Sequence, residues 1–446
     1  MQEKLLKNIS GIRGIVGKTF TPDVVLKYSS TFGNYCKGGR IVLGRDTRES
    51  GKIFHKIALK GLTFAGCEVI DLGICPTPTV GMAVKGLKAK GGIMITASHN
   101  PVEWNGLKFF NAKGIFLDEK EGKKFFSLAE KKIKYSDWKK SGRVSSDNCW
   151  IDKHIQRILG LSYINKNKIK KKRFKVVLDC NNGAGARIAP LLLRKLGCQV
   201  IELNCGLSGE FVHSPEPVPE NLALLCKKVK KTKADLGFAL DPDADRLAIV
   251  SEKGVPLGEE YTLALCVDFV LSKKLSDVAV NNSTSMVMEN IAKKYGIKVF
   301  RSKVGEIYVV SLLKKIKGVI GGEGNGGVIL PENHNGRDAQ VGMALILQYL
   351  TESGKKISQL KQRLPQYYIQ KDKIKLSNNF DNKLKIYLRK FKQSEINYLD
   401  GVKVNLENSW ISIRKSNTEP IIRIMAEATI REEIEKLVIE AKRELS

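Results

Sequence analysis

One pattern, strand then helix then glycine then strand, recurs three times along this chain. The first copy is GRIVLGRD, a helical stretch over 56–65, Gly66 and the strand CEVIDLG. The second is FKVVLDCNNGAG, APLLLRKL, Gly197 and CQVIEL. The third is DVAVNNST, MENIAKKY, Gly296 and IKVFR. Short β-branched runs that alternate with helical periodicity call for βαβ units, hence mostly parallel sheets with helices on both faces.

Each copy then adds a third apolar run that ends in a polar loop. GGIMITA leads to Ser98-His99-Asn100-Pro101, and ADLGFAL leads to Asp241-Pro242-Asp243-Ala244-Asp245-Arg246. GVI leads to Gly322-Glu323-Gly324-Asn325-Gly326-Gly327. Ligands of open α/β sheets bind beyond the carboxyl ends of the strands. Three units can therefore aim three loops into one cleft. Towards the C-terminus the pattern changes to a charged segment, two strands around an Arg414–Pro420 loop, and an amphipathic helix. The expected fold is α/β: three similar α/β domains with mixed, mostly parallel sheets, plus a smaller C-terminal α+β domain, around one central cleft. The expected divisions are 1–150, 151–254, 255–370 and 371–446.

Composition narrows the function classes. Hydrophobic residues at 42% and charged residues at 27% fit a folded globular chain. No apolar run reaches the roughly 18–20 residues of a membrane span, and MQEKLLKNISGIRG lacks the apolar core of a signal peptide. Nine cysteines without a C-x-x-C pair read as reduced, buried thiols of a cytoplasmic protein. The net charge of +30 raises nucleic acid or a small anion as partner. Aromatics do not interleave with runs such as Lys170–Lys171–Lys172, so a solvated lysine-rich surface is favoured over a nucleic-acid-binding protein.

The loops carry the chemistry. Ser98, delivered by a strand and flanked by hydrogen-bonding residues, can act as a nucleophile or phosphate carrier, or serve as an ordinary turn serine. There is no G-x-S-x-G elbow to suggest a hydrolase. Asp241, Asp243 and Asp245 at i, i+2 and i+4 can converge on one hard cation, Mg²⁺ or Ca²⁺. An EF-hand does not fit, because its sixth position would be Arg246 where glycine is required. Glu323 and Asn325 can read sugar hydroxyls, or lie in a ligand-free tight turn. Arg414, Lys415, Ser416, Asn417 and Thr418, with Arg423 just beyond, suit a phosphate dianion; a polar hairpin is the alternative. Together the loops describe phosphoryl transfer on a phosphorylated polyol.

The ordered set SGIRGIVG, TASHNP, NGLK, DPDADR, VGE, GEGNGG and RKSNTEP resembles the α-D-phosphohexomutase superfamily. That superfamily includes phosphoglucomutase/phosphomannomutase and phosphoglucosamine mutase, and the resemblance runs from Ser10 to the C-terminal helix. It implies a phosphoserine at Ser98, with Lys108 and Arg13 beside it, Lys108 as candidate acid/base and His99 in the catalytic group. It implies Mg²⁺ held by Asp241, Asp243, Asp245 and the phosphate on Ser98. Arg246, Glu323, Asn325, Arg414, Ser416, Asn417, Thr418 and Arg423 would bind the phosphorylated hexose. A hexose 1,6-bisphosphate would be intermediate and activator, in a monomer or homodimer. The motif after Asn325 ends in Gly326-Gly327 where many relatives end in Gly-His, so any histidine role there is absent. The Val304-Gly305-Glu306 stretch leans towards glucosamine phosphate as substrate; DPDADR is the form common in mannose and glucose enzymes.

Overall fold

The computed structural model describes residues 4–416 and 420–446, with Trp138 by its backbone alone. The three repeats become three sheets of one design. In the first, Ile41–Arg45 lies between Val69–Ile74 and Gly91–Ile95, all parallel. Lys175–Asp179 lies likewise between Gln199–Leu203 and Leu236–Leu240. Val278–Asn281 lies between Val299–Ser302 and Gly321–Glu323. A fourth strand then runs back antiparallel beside the third: Trp104–Asn111, Leu247–Ser251 and Gly327–Ile329. The polar loops are too short to hold a crossover helix, so the chain can only return as a hairpin. Each of the three polar loops is thus a hairpin tip. The first sheet is widened to seven strands; Gly11–Ile15 pairs antiparallel with Trp104–Asn111 and brings Arg13 opposite Gly106.

The helix–glycine–strand joints have a common backbone cause. Gly66, Gly197 and Gly296 have φ of +79°, +82° and +64°. A left-handed residue ends a helix, and only glycine does so without a Cβ clash.

The last unit is a five-stranded, wholly antiparallel sheet with the helices Phe380–Leu388 and Arg431–Leu445. One apolar core runs through the first three units, joining residues such as Met94, Phe238 and Val280. The last unit has its own core around Val404, Ile411, Ile424 and Val438. Polar contacts tie it to the third unit. Glu427 Oε2 accepts from Met286 N at 2.8 Å, and Lys403 Nζ donates to the Asn282 carbonyl at 2.9 Å. All nine cysteines are unpaired. Six are buried, but Cys149 is exposed at the N-cap of the helix Trp150–Leu159, and Cys205 and Cys226 are half-buried at the margins of the apolar cores. Among the described residues no helix is long and apolar enough to cross a membrane.

His334 is enclosed between the first and third units, against Gly81 and Gly336. Burial pushes its pKa down to about 4. The unfolded chain therefore takes up this proton first as the pH falls. The stability is complete above about pH 6.5 and declines towards pH 4, by about 3 kcal/mol for this group. Melting curves from pH 7.5 to 4.5 should drop less steeply for His334→Gln than for the parent; parallel curves would contradict this assignment.

Candidate active site

Ser98 stands on the first hairpin, nearly fully buried, with φ of +52°. A left-handed serine persists only where its surroundings dictate it. Here the cause is Arg48, whose fully buried guanidinium holds the loop from beneath. Its Nη2 donates to the carbonyls of Ser98 and Asn100 at 2.7 and 2.6 Å. Its Nη1 donates to those of Pro101 and Trp104 at 2.6 and 2.9 Å. Its Nε donates to Asp46 Oδ2 at 3.2 Å. Thr96 Oγ1 donates to the same oxygen at 2.6 Å and accepts from Ser98 N at 2.8 Å. Burial raises the Asp46 pKa and lowers that of Arg48, so each charge depends on the other.

Ser98 Oγ donates to Asp241 Oδ2 at 3.1 Å, which joins the first hairpin to the second. Asp241 Oδ1 accepts from the backbone N of Asp245 and Arg246 at 3.1 and 3.0 Å and so shapes the tip, helped by a left-handed Ala244. Asp243 Oδ2 accepts from Thr77 Oγ1 at 2.5 Å and from Lys108 Nζ at 2.6 Å. Lys108 also reaches Asp245 Oδ2 at 3.2 Å. Asp243 Oδ1 and Asp245 Oδ1 are buried and have no hydrogen-bond partner. One oxygen from each of the three aspartates lies within 4.8 Å of the others. A buried, oxygen-only set with two unpartnered carboxylate oxygens is chemically suited to Mg²⁺.

The charges around this set are tuned. Burial, with the charges of Asp245 and Asp243, pushes the Asp241 pKa well up. Burial and Asp245 act upward on Asp243, but Lys108 and Thr77 outweigh them and leave it low. Burial would lower the Lys108 pKa, yet Asp243 and Asp245 raise it, so the amine stays an ammonium. His99, with Nδ1 3.4 Å from Ser98 Oγ, is held neutral by burial and by the nearby Arg246 and Arg13. Arg13 donates to Asn100 Oδ1 at 3.0 Å and feels the charges of Asp243 and Asp245. Burial lowers its pKa to about 10, which leaves it cationic at neutral pH.

The third hairpin abuts the second. Leu247 N donates to the Gly326 carbonyl at 3.1 Å. Gly326 has φ of +84°, and a Cβ there would lie 2.3 Å from the Leu247 oxygen. Glu323 Oε1 accepts from Asn281 Nδ2 at 2.9 Å and from Gly305 N at 3.0 Å. The buried Asn325 Oδ1 has no partner. Arg246 Nη1 donates to Glu216 Oε1 at 3.2 Å.

Ser98, His99, Arg13, Lys108 and the three aspartates are thus one contiguous group, with Arg246, Glu323 and Asn325 on the adjoining hairpins. The C-terminal residues join less directly. Arg414 and Arg423 face each other on neighbouring strands. Arg414 Nη1 donates to Asp400 Oδ2 at 2.8 Å, and that oxygen also accepts from Val304 N at 3.2 Å, two residues before Glu306. Ser416 N donates to the Ile421 carbonyl at 2.9 Å. Asn417 and Thr418 lie outside the described residues.

Comparison with known proteins agrees along the whole chain. Domains I, II and III of phosphoglucomutase/phosphomannomutase, each of alpha/beta/alpha type, match residues 4–136, 152–254 and 258–368. The C-terminal domain of the same family matches residues 373–443. The chain belongs to the phosphoglucomutase/phosphomannomutase family. It is accordingly an enzyme, a mutase of the α-D-phosphohexomutase superfamily. A phosphoglucomutase/phosphomannomutase of Thermococcus kodakarensis is 39% identical over 95% of this chain and 94% of its own. A probable phosphoglucosamine mutase of Methanopyrus kandleri is 36% identical over 96% of this chain and 95% of its own. The crystal structure of a phosphoglucomutase/phosphomannomutase family protein from Burkholderia thailandensis superposes with a TM-score of 0.85 at 26% identity. It covers 98% of this chain and 96% of that one.

Several parts of this mutase's site escaped sequence reasoning: Asp46, Arg48, Thr96, Thr77 and Arg337. A signal existed for three of them. Thr96 opens the TASHNP motif. Asp46-Thr47-Arg48 follows a strand end in the first repeat, as the marked loops do. Thr77 meets Asp243 of the second unit, and Arg337 meets Asp245 of that unit besides Glu306 and Glu323 far along its own, so no local pattern marks them.

Proposed function

We propose that this mutase interconverts hexose 6-phosphate and hexose 1-phosphate with Mg²⁺, through a phosphoserine at Ser98, and that glucosamine phosphate is its preferred substrate. The observation that carries this reading is the Ser98–Asp241 contact beside two buried, unpartnered aspartate oxygens. Asp241, Asp243, Asp245 and the phosphate on Ser98 would hold the cation, which when bound offsets charge on the transferring group.

The C1 hydroxyl of hexose 6-phosphate attacks the phosphorus on Ser98. The new bond is C1–O–P, the bond broken is P–Oγ, and one proton passes from the hydroxyl to the departing Oγ. The resulting 1,6-bisphosphate turns over while bound. Ser98 Oγ then attacks the 6-phosphate, and the C6 oxygen leaves with the proton. Lys108, kept protonated by two carboxylates, suits the acid half of each exchange. His99, kept neutral beside Oγ, suits the base half. Glu323 and Asn325 read sugar hydroxyls next to Arg246, while Arg414, Ser416, Arg423 and the segment with Asn417 and Thr418 grip the other phosphate. The separate core of the last unit suits a hinge that closes over the turning intermediate.

Glu306 in Val304-Gly305-Glu306, buried at the edge of the site, and the Methanopyrus kandleri relative favour the amino sugar. The DPDADR hairpin and the Thermococcus kodakarensis relative favour a second reading, phosphomannomutase/phosphoglucomutase. A coupled assay with glucosamine, glucose and mannose 6-phosphates separates them. The first reading expects kcat/KM for glucosamine 6-phosphate at least about tenfold above the others, the size of a modest specificity difference; equal or reversed values favour the second.

A further inference from the structure

Gly327 closes the third hairpin, and its backbone does not call for glycine. Unlike Gly326 it has no positive φ. What excludes a side chain there is Arg337. A Cβ at 327 would lie 2.2 Å from Arg337 Cδ and 3.0 Å from its Cγ. The arginine stem runs through the space that any other residue at 327 would fill.

The guanidinium at the end of that stem meets three carboxylates from three segments. Nη2 donates to Asp245 Oδ2 at 2.7 Å, on the second hairpin. Nη1 donates to Glu323 Oε2 at 2.8 Å, on the third hairpin. Nε donates to Glu306 Oε2 at 3.1 Å, at the start of the helix Glu306–Ile316. All four side chains are buried. The backbone that launches Arg337 is itself fixed. Arg337 bridges Ile329, and Asp338 caps the helix Ala339–Ser353 through Gln340 N and Val341 N. A planar fork held at both ends fits three fixed carboxylates as a flexible ammonium cannot.

The contact also sorts the oxygens of Asp245. Oδ2 is taken by Arg337 and Lys108, while Oδ1 is buried without a hydrogen-bond partner, with Arg246 Nε 4.0 Å away. On the sugar side, Glu323 has Oε1 fixed by Asn281 and Gly305 and Oε2 by Arg337. We propose that Arg337 is a positioning residue that locks the metal-facing hairpin to the sugar-facing hairpin, and that Gly327 is side-chain-free in order to admit it. This rests on the roles given above to Asp245 and Glu323.

The test is a double-mutant cycle on the full chain, read by melting temperature and by steady-state kinetics with the best 6-phosphate substrate. Gly327→Ala, Arg337→Ala, the double variant and Arg337→Lys are compared. Gly327→Ala should lower the melting temperature in the parent and change it little in the Arg337→Ala background, since contacting residues couple and this contact is then gone. Each single Ala variant should lose about 100-fold in kcat at temperatures well below melting, the scale expected for a displaced binding group. The double variant should be no worse than Arg337→Ala alone. Arg337→Lys should recover part of the melting temperature and less than about a tenth of the kcat, because an ammonium restores the charge but lacks the planar fork that spans the three fixed carboxylates.

Equal thermal costs of Gly327→Ala in both backgrounds would overturn the spatial claim. Activity that returns in step with stability in Arg337→Lys would overturn the positioning role and leave a structural ion pair. If Gly327→Ala fails to fold while the double variant folds, the coupling stands. An inactive parent with a coupled thermal cycle would instead sink the mutase reading and leave the steric claim intact.

Discussion

Asp243→Asn should lower kcat by about a thousandfold or more at saturating Mg²⁺, with KM for the sugar phosphate changed only a few-fold. Asp243 has two duties on two oxygens. Oδ2 holds Lys108 and Thr77, and Oδ1 is one of the two buried oxygens with no partner. An amide has one oxygen to offer, so it must surrender either the cation or the lysine, and its NH₂ would then face a cation or an ammonium. Asp243 lies on the hairpin that faces Ser98, so the loss falls on the transferring group and appears in kcat. A titration with excess Mg²⁺ should recover little, because the missing charge also served Lys108. A kcat within tenfold of the parent would remove Asp243 from the transfer step.

Arg48→Leu should cost about 3–5 kcal/mol of stability, the range for breaking a buried ion pair by removing one partner. Asp46 would stay enclosed without the cation that its charge depends on, and four carbonyls of the Ser98 loop would lose their donors. The loop would then relax Ser98 from its left-handed conformation, and turnover should fall even where the protein remains folded. Arg48→Lys should rescue little, because an ammonium cannot reach four carbonyls and Asp46 together. Urea unfolding at neutral pH measures this directly. A cost under about 1 kcal/mol, the usual size for exposed pairs, would show that the guanidinium does not hold the loop.

The sequence disclosed whatever is local. The hairpin tips were legible because Ser98-His99-Asn100-Pro101 and the aspartates at i, i+2 and i+4 carry their chemistry within a few residues. The joints were legible because Gly66, Gly197 and Gly296 mark left-handed turns. The return strands were not separated from the runs before them, since Trp104–Asn111 and Gly327–Ile329 are short or mixed in character. Arg337, and Arg48 despite its place just after a strand end, were passed over for another reason. A buried arginine and a surface arginine look alike in a basic sequence, and only the fold brings their carbonyl and carboxylate partners to them. Gly327 was noticed for the histidine it lacks. The structure gives the glycine a steric cause, the arginine stem that occupies its side-chain space.

The most direct test is the mass of the intact chain after incubation with a hexose 1,6-bisphosphate and Mg²⁺. The account predicts the addition of one phosphoryl group, mapped to Ser98, discharged by hexose 6-phosphate, and absent together with turnover in Ser98→Ala. An unmodified Ser98 in an active enzyme, or undiminished turnover in Ser98→Ala, would contradict it.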